Sequence, residues 1–394
     1  MTTGRPVGPP GARTGTPALA GRLVGVDVAR GLAVLGMFAA HMWPRELLDE
    51  RVFDGRSAIL FATLAGVSLG LSTGGARRAP APAWPRLNAS IAIRAGLLVL
   101  LGAVLQAWNP YVLVILPYYG VMFLLLLPLL RAPRAVVALV GAALVVAAPW
   151  AASTGPVDAW GDAAADGLGG LLQDALLVGA YPALVWLPFL CAGLVAARSD
   201  LSRGRTQLAL VAGGSLAAVV GYGARALPGA ADVAALDPEA HGGAPAELVG
   251  SGGVALAVLG LLLAVTGASR RRVGRVARTT LSPLAATGAQ PLTVYTAHLL
   301  LTAPLFALHR AQGGGYGLPL GWLVAAVVLT LAWSVAWRRW LGRGPLERAI
   351  ARASRPWSWG DGGADRGRGG PAGGAGPAGG HDLGPVVRAP SVPG

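Results

Sequence analysis

The chain has 394 residues, of which 54% are apolar and only 13% charged, and its mean hydropathy is +0.57. That balance excludes a soluble domain with a charged surface and predicts an all-α, polytopic integral membrane helix bundle. The net charge of +14 comes from 32 basic residues, all arginine, which gather in short loops between apolar runs; this pattern carries topology and excludes a nucleic-acid face.

Residues 1–20, rich in Gly, Pro and Thr, are expected to form a tail outside the fold, and they lack the apolar core of a cleavable signal peptide. Ten apolar segments follow, at approximately 24–43, 57–73, 90–108, 111–130, 135–151, 180–197, 207–226, 248–267, 283–308 and 319–337. Each is long enough, or nearly so, to cross a hydrocarbon core of about 30 Å. The segment 156–175 alternates leucines with acids and is expected to lie as a short helix on the outer surface. Cys191 is the only cysteine, which excludes an internal disulfide and argues against a cysteine-ligated zinc site. From about 351 the chain turns to Gly, Pro and Ala and is expected to be a disordered cytoplasmic tail, leaving 21–350 as the membrane domain.

The loops test this division. Arginines cluster after the second, fourth, sixth, eighth and tenth segments, as at Arg77, Arg131, Arg198, Arg270–Arg272 and Arg338. The alternate loops are acidic or neutral, with Asp158 and Asp174 after the fifth segment and Asp232, Asp237 and Glu239 after the seventh. Positive charge on the inner side then predicts about ten spans with both termini cytoplasmic.

Ionisable groups at membrane depth cost several kcal/mol unless paired or wetted, so they are the candidates for function. The first segment carries Asp27, Arg30 and His41, with Arg22 just before it. At about 100° and 1.5 Å per residue, Arg30 and His41 share a face roughly 16 Å apart, with Asp27 within about 60° of both. In the ninth segment Tyr295, His298 and Thr302 form a polar stripe, and His298 is expected at the depth of His41. The loop before the eighth segment adds Asp237, His241 and Glu247 on the same side. Imidazole and carboxylate converging there supply material for general-base chemistry. Simpler readings stand beside this one: Asp27–Arg30 as a structural i,i+3 ion pair, His298 as a helix-packing contact, His241 as an exposed loop residue, Glu247 as a cap or flank of the next helix. No HExxH-type spacing supports a metal.

At these residues the chain resembles the heparan-alpha-glucosaminide N-acetyltransferase-like family and its bacterial YeiB-like relatives. GRLVGVDVARGLAVLGMFAAHMW is similar to the family's first helix, in which an Arg precedes D-x-x-R-G; here these are Arg22, Asp27, Arg30 and Gly31. DGRSAILFATLAGVSLGL resembles the second helix, LTVYTAHLL the ninth segment of the YeiB-like branch, and GPLERAI at 344–350 its C-terminal close. The resemblance implies a multi-pass acyltransferase of a bacterial cytoplasmic membrane. Such an enzyme takes acetyl-CoA or another acyl-CoA from the cytoplasm and delivers the acyl group to a hydroxyl or amine of a glycan or envelope acceptor on the far side. His41 stands where the glucosaminide enzymes carry Asn, and their His before the second helix has no counterpart in LLDERVFDG. That departure makes His41 the candidate base and leaves the acceptor open. Under this implication Arg30 and Arg94, with Asp27 and Arg22, face the anionic part of the donor, while His41 or His298 takes the acceptor's proton and Glu247 or Asp237 orients it. A transporter with a helix broken at Gln290-Pro291, and a non-enzymatic envelope scaffold, stay open. Homo-oligomerisation through the small-residue face Gly66–Gly70 is a further expectation.

Overall fold

The structure, a computed structural model, describes residues 23–44, 55–154, 167–267, 272–315 and 317–355. Expectations for 1–20, Arg22, 156–166, Arg270, Arg271 and the tail beyond 355 lie outside the described residues. Among the described residues the secondary structure is helical, without strands. In chain order the helices are α1 (Val24–Met42), α2 (Arg56–Ser72), α3 (Trp84–Trp108), α4 (Leu116–Leu126), α5 (Arg134–Ala152), α6 (Leu168–Gln173) and α7 (Ala183–Ala197). Then come α8 (Gly204–Gly223), α9 (Pro245–Gly267), α10 (Arg272–Thr280), α11 (Ser282–Thr287), α12 (Pro291–Ala311), α13 (Leu320–Trp340) and α14 (Pro345–Ala353).

Every expected apolar segment contains a helix, yet fewer reach full span length. Seven are long and apolar enough to cross a membrane, and the pair Gly169–Val178 with Ala183–Ala197, bent by 49°, makes an eighth. The expected ten full spans are thereby revised, since α2 and α4 are only 17 and 11 residues long. Proline explains α4: Pro117 stands in its first turn and Pro128 opens a 3-10 turn just past its end, so the apolar run 111–130 is only partly α-helical. At the C-terminal end, α14 carries ordered helix to Ala353, past the expected boundary at 350.

Burial sorts the helices. In α1, 61% of the apolar stretch is buried, against 17% in α5 and α8 and 11% in α13. Leu139, Leu208, Val219 and Leu329 are each 67–70% exposed on these last three, as expected of faces that meet lipid. α1 is therefore the central element, packed against α2, α9, α11, α12 and α13. Its sequence allows this: a Cβ at Gly31 would overlap the Leu284 carbonyl of α11, and one at Gly288 would overlap the Asp27 carbonyl. Two glycines thus press the turn Asp27–Gly31 directly against the break between α11 and α12. The Gly66 and Gly70 face of α2 is consumed in the same way by α7, where a Cβ would meet Leu190 and Ala197, so this face is not available for oligomerisation.

Arg198, just past the end of α7, fastens one end of the bundle. Its guanidinium is buried and donates to the carbonyls of Thr73, Gly75 and Leu130 at 3.3, 2.9 and 2.6 Å, and to Thr73 Oγ1 at 3.1 Å. The ends of α2, α4 and α7 meet there, at the arginine-rich end of the molecule.

Candidate functional site

Two cavities lie along α1. The inner one, about 290 Å³, opens among Arg30, Ser68, Arg94, Pro291 and Glu347 toward the arginine-rich end. The outer one, about 440 Å³, is lined by His41, Ser57, Tyr111, Tyr181 and His241 at the opposite end. Met37, Ile115 and Tyr295 border both, so the cavities abut at a waist made by α1, the start of α4 and α12.

At the inner cavity Asp27 and Arg30 form the expected i,i+3 pair, with Arg30 Nη1 donating to Asp27 Oδ1 at 3.0 Å. The Asp27 side chain is only 4% exposed and that of Arg30 is 21% exposed, so the carboxylate holds the guanidinium while one edge stays at the cavity. Arg30 Nη2 also donates to Ser68 Oγ of α2 at 2.7 Å, and Ser68 in turn donates to the Leu64 carbonyl. Arg94, half-buried on α3, lines the same cavity and makes no hydrogen bond or ion pair among the described residues. An unpaired guanidinium in a mostly apolar recess is an anion site in search of its anion.

The break before α12 forms one wall. Glu347 of α14 caps the new helix start, accepting from the backbone N–H groups of Leu292 and Thr293 at 2.8 and 3.1 Å and from Thr293 Oγ1 at 2.5 Å. The C-terminal GPLE string is therefore what stabilises the start of α12. The break also corrects the ninth segment, which is two helices and not one. Tyr295, His298 and Thr302 do share a buried face.

At the outer cavity the two histidines meet as expected. His41 Nδ1 and His298 Nε2 are 3.0 Å apart, close enough to share one hydrogen, and Phe38 stacks on His298 with ring centroids 3.9 Å apart. His298 is 3% exposed and does not line the cavity, whereas His41 does. The depth of His298 is fixed from α3. Pro304 leaves the Leu300 carbonyl without its helical donor, and Trp108 Nε1 donates to it at 3.2 Å. The buried Asn109 side chain donates to the Leu299 carbonyl at 2.9 Å and Thr302 Oγ1 at 3.0 Å.

The acidic candidates are placed differently from their expected role. Both Glu247 oxygens are taken by the loop ahead of α9, accepting from the backbone N–H groups of His241 at 2.8 Å and Gly243 at 2.7 Å. Glu247 thus shapes a loop in which His241 adopts a left-handed conformation (φ 63°) and presents its ring to Tyr181 and Trp186. Asp237 is surface-exposed, accepts from the Glu239 backbone N–H and pairs with Arg225 at 3.3 Å. Neither acid reaches the His298 ring. Ser68, Phe38 and the Trp108–Asn109 bracket carried no functional assignment from sequence, where Trp108-Asn109-Pro110 reads only as the hinge between two apolar segments.

A family model described as heparan-alpha-glucosaminide N-acetyltransferase, catalytic, matches residues 22–228. No curated protein matches the chain. The matched stretch holds α1 to α8, hence Asp27, Arg30, His41, Ser68 and Arg94. The histidine partner and the Glu347 cap lie beyond it. A match over more than half of the 394 residues, on a bundle with seven membrane-length helices, shows that the chain belongs to the heparan-alpha-glucosaminide N-acetyltransferase catalytic-domain family, a family of acetyltransferase-type membrane enzymes.

Proposed function

We propose that this chain moves an acyl group, acetyl as in its family, from a cytoplasmic acyl-CoA to a hydroxyl or amine of a glycan or envelope component on the far side of a bacterial cytoplasmic membrane. The observation that carries the reading is the pair of abutting cavities, with Arg30 and Arg94 at one end and the His41–His298 pair at the other. The arginine-rich loops at the Arg30 end support a cytoplasmic position for it. There Arg94, with Arg30 beside it in the cavity wall, holds donor phosphate, and the thioester arm reaches past Tyr295 toward His41.

At the outer cavity His41 takes the proton from the acceptor hydroxyl or amine as its oxygen or nitrogen attacks the thioester carbonyl. The new C–O or C–N bond forms, the C–S bond breaks, and the imidazolium returns its proton to the leaving thiolate. His298, buried behind His41, orients the ring and fixes its tautomer; it is a positioning residue. His41→Ala is the test, with labelled acetyl-CoA and membrane vesicles as acceptor source: label transfer should fall at least about 100-fold while acyl-CoA binding persists. Transfer at the parental rate would remove His41 from the chemistry.

A transporter remains the second reading, favoured by the helix break at Gly288–Gln290 beside a charged recess. Solute movement in vesicles without acyl-CoA binding would favour it.

A further inference from the structure

A third cavity, of about 700 Å³, shares no residue with the other two. It lies at the arginine-rich end among the starts of α1 and α8, the ends of α9 and α13, and the helices α10 and α11. Three arginines line it, Arg278, Arg338 and Arg339, and no carboxylate does among the described residues. The nearest acid by sequence to its lining residue Ser202 is Asp200, which is paired with Arg203 at 2.9 Å.

Two of the arginines are held in place by helix-end carbonyls: Arg278 Nε donates to Thr266 at 2.7 Å and Arg338 Nη1 to Ala285 at 2.9 Å. Arg278 makes no other hydrogen bond or ion pair among the described residues, and the exposed Arg339 makes none. The rest of the lining is largely apolar, including Leu23, Leu263 and Val335. α8 packs on α9, and α13 on α11 and α1, so the cavity lies between two sparsely buried walls of the bundle. Guanidinium groups at the headgroup level, with apolar surface beside them on lipid-facing helices, match an amphipathic anion rather than a soluble one.

We infer that this cavity binds an anionic phospholipid of the leaflet at the arginine-rich end. Its phosphate sits among Arg278, Arg338 and Arg339, and its acyl chains run along the face between α8 and α13. The inference does not rest on the acyl-transfer reading.

The test uses the full chain in uncharged detergent, titrated with phosphatidylglycerol, phosphatidylcholine or inorganic phosphate and followed by native mass spectrometry and thermal shift. Phosphatidylglycerol should bind and stabilise, the other two should not, and Arg339→Gln, which removes no internal contact, should weaken binding about fivefold. Arg278→Gln with Arg339→Gln should weaken it about 25-fold if each charge contributes equally. Equal response to phosphatidylcholine, or binding unchanged in both variants, overturns the inference. Saturable, arginine-dependent binding of inorganic phosphate would overturn it in favour of a soluble ligand.

Discussion

Gly31→Ala tests whether the close approach of α1 to the α11–α12 break builds the site. A Cβ at position 31 would lie 2.9 Å from the Leu284 carbonyl carbon and 3.2 Å from its Cα, with the carbonyl oxygen closer still. Carbon atoms settle at about 3.5–4.0 Å, so α11 must retreat by roughly 1 Å. The obstruction is backbone, which cannot swing aside as a side chain does. Overpacking of this kind costs about 1–3 kcal/mol, or roughly 1–4 °C of melting temperature in a chain of this size. The shift carries Pro291 and the start of α12 away from Arg30, and a displacement of about 1 Å in a positioned site costs on the order of 100-fold in rate. Gly96→Ala is the control, because a Cβ there meets nothing within 4 Å. Fluorescence-detected thermal unfolding and acetyl transfer, measured on both variants, decide the matter. A Gly31→Ala protein that melts and works like Gly96→Ala would refute the packing argument.

Asn109→Ala removes the donor to Leu299 and Thr302 and should destabilise by about 1–3 kcal/mol, lowering transfer more than acyl-CoA binding because His298 loses its depth; thermal unfolding and single-turnover kinetics check both. Glu347→Gln weakens the cap on α12 by about 1–2 kcal/mol, and proteolysis near residue 291 should accelerate as the helix start frays. His298→Gln retains a side chain able to hydrogen-bond His41 Nδ1 but loses the stack on Phe38, so it should retain more transfer activity than His41→Ala and shift its pH profile.

The sequence was informative wherever charge or polarity interrupts an apolar run. Asp27, Arg30, His41 and His298 stood out for that reason, and helical rise combined with the loop-charge topology put both histidines near one depth. The count of full spans was less legible, because hydropathy does not distinguish α-helix from the 3-10 turn that opens at Pro128. Glu247 was legible as an outer-side acid that either orients a base or flanks the next helix, but its actual partners, backbone N–H groups of the loop ahead of α9, are ones that no side-chain pattern advertises. Arg198 illustrates the same limit: as one arginine among many in the loops it looks like a topology signal, and only the meeting of α2, α4 and α7 makes it a clamp.

Acyl-CoA binding to the detergent-purified chain, by isothermal titration of the parent and of Arg94→Gln, tests the central claim most directly. Arg94 has no internal partner among the described residues, so its removal leaves the fold intact and takes away one charged hydrogen-bond donor. The account predicts saturable binding of acetyl-CoA that weakens about 10- to 100-fold in the variant, the equivalent of roughly 1.5–3 kcal/mol. Identical binding in the two proteins, or none in a folded parent, would contradict it.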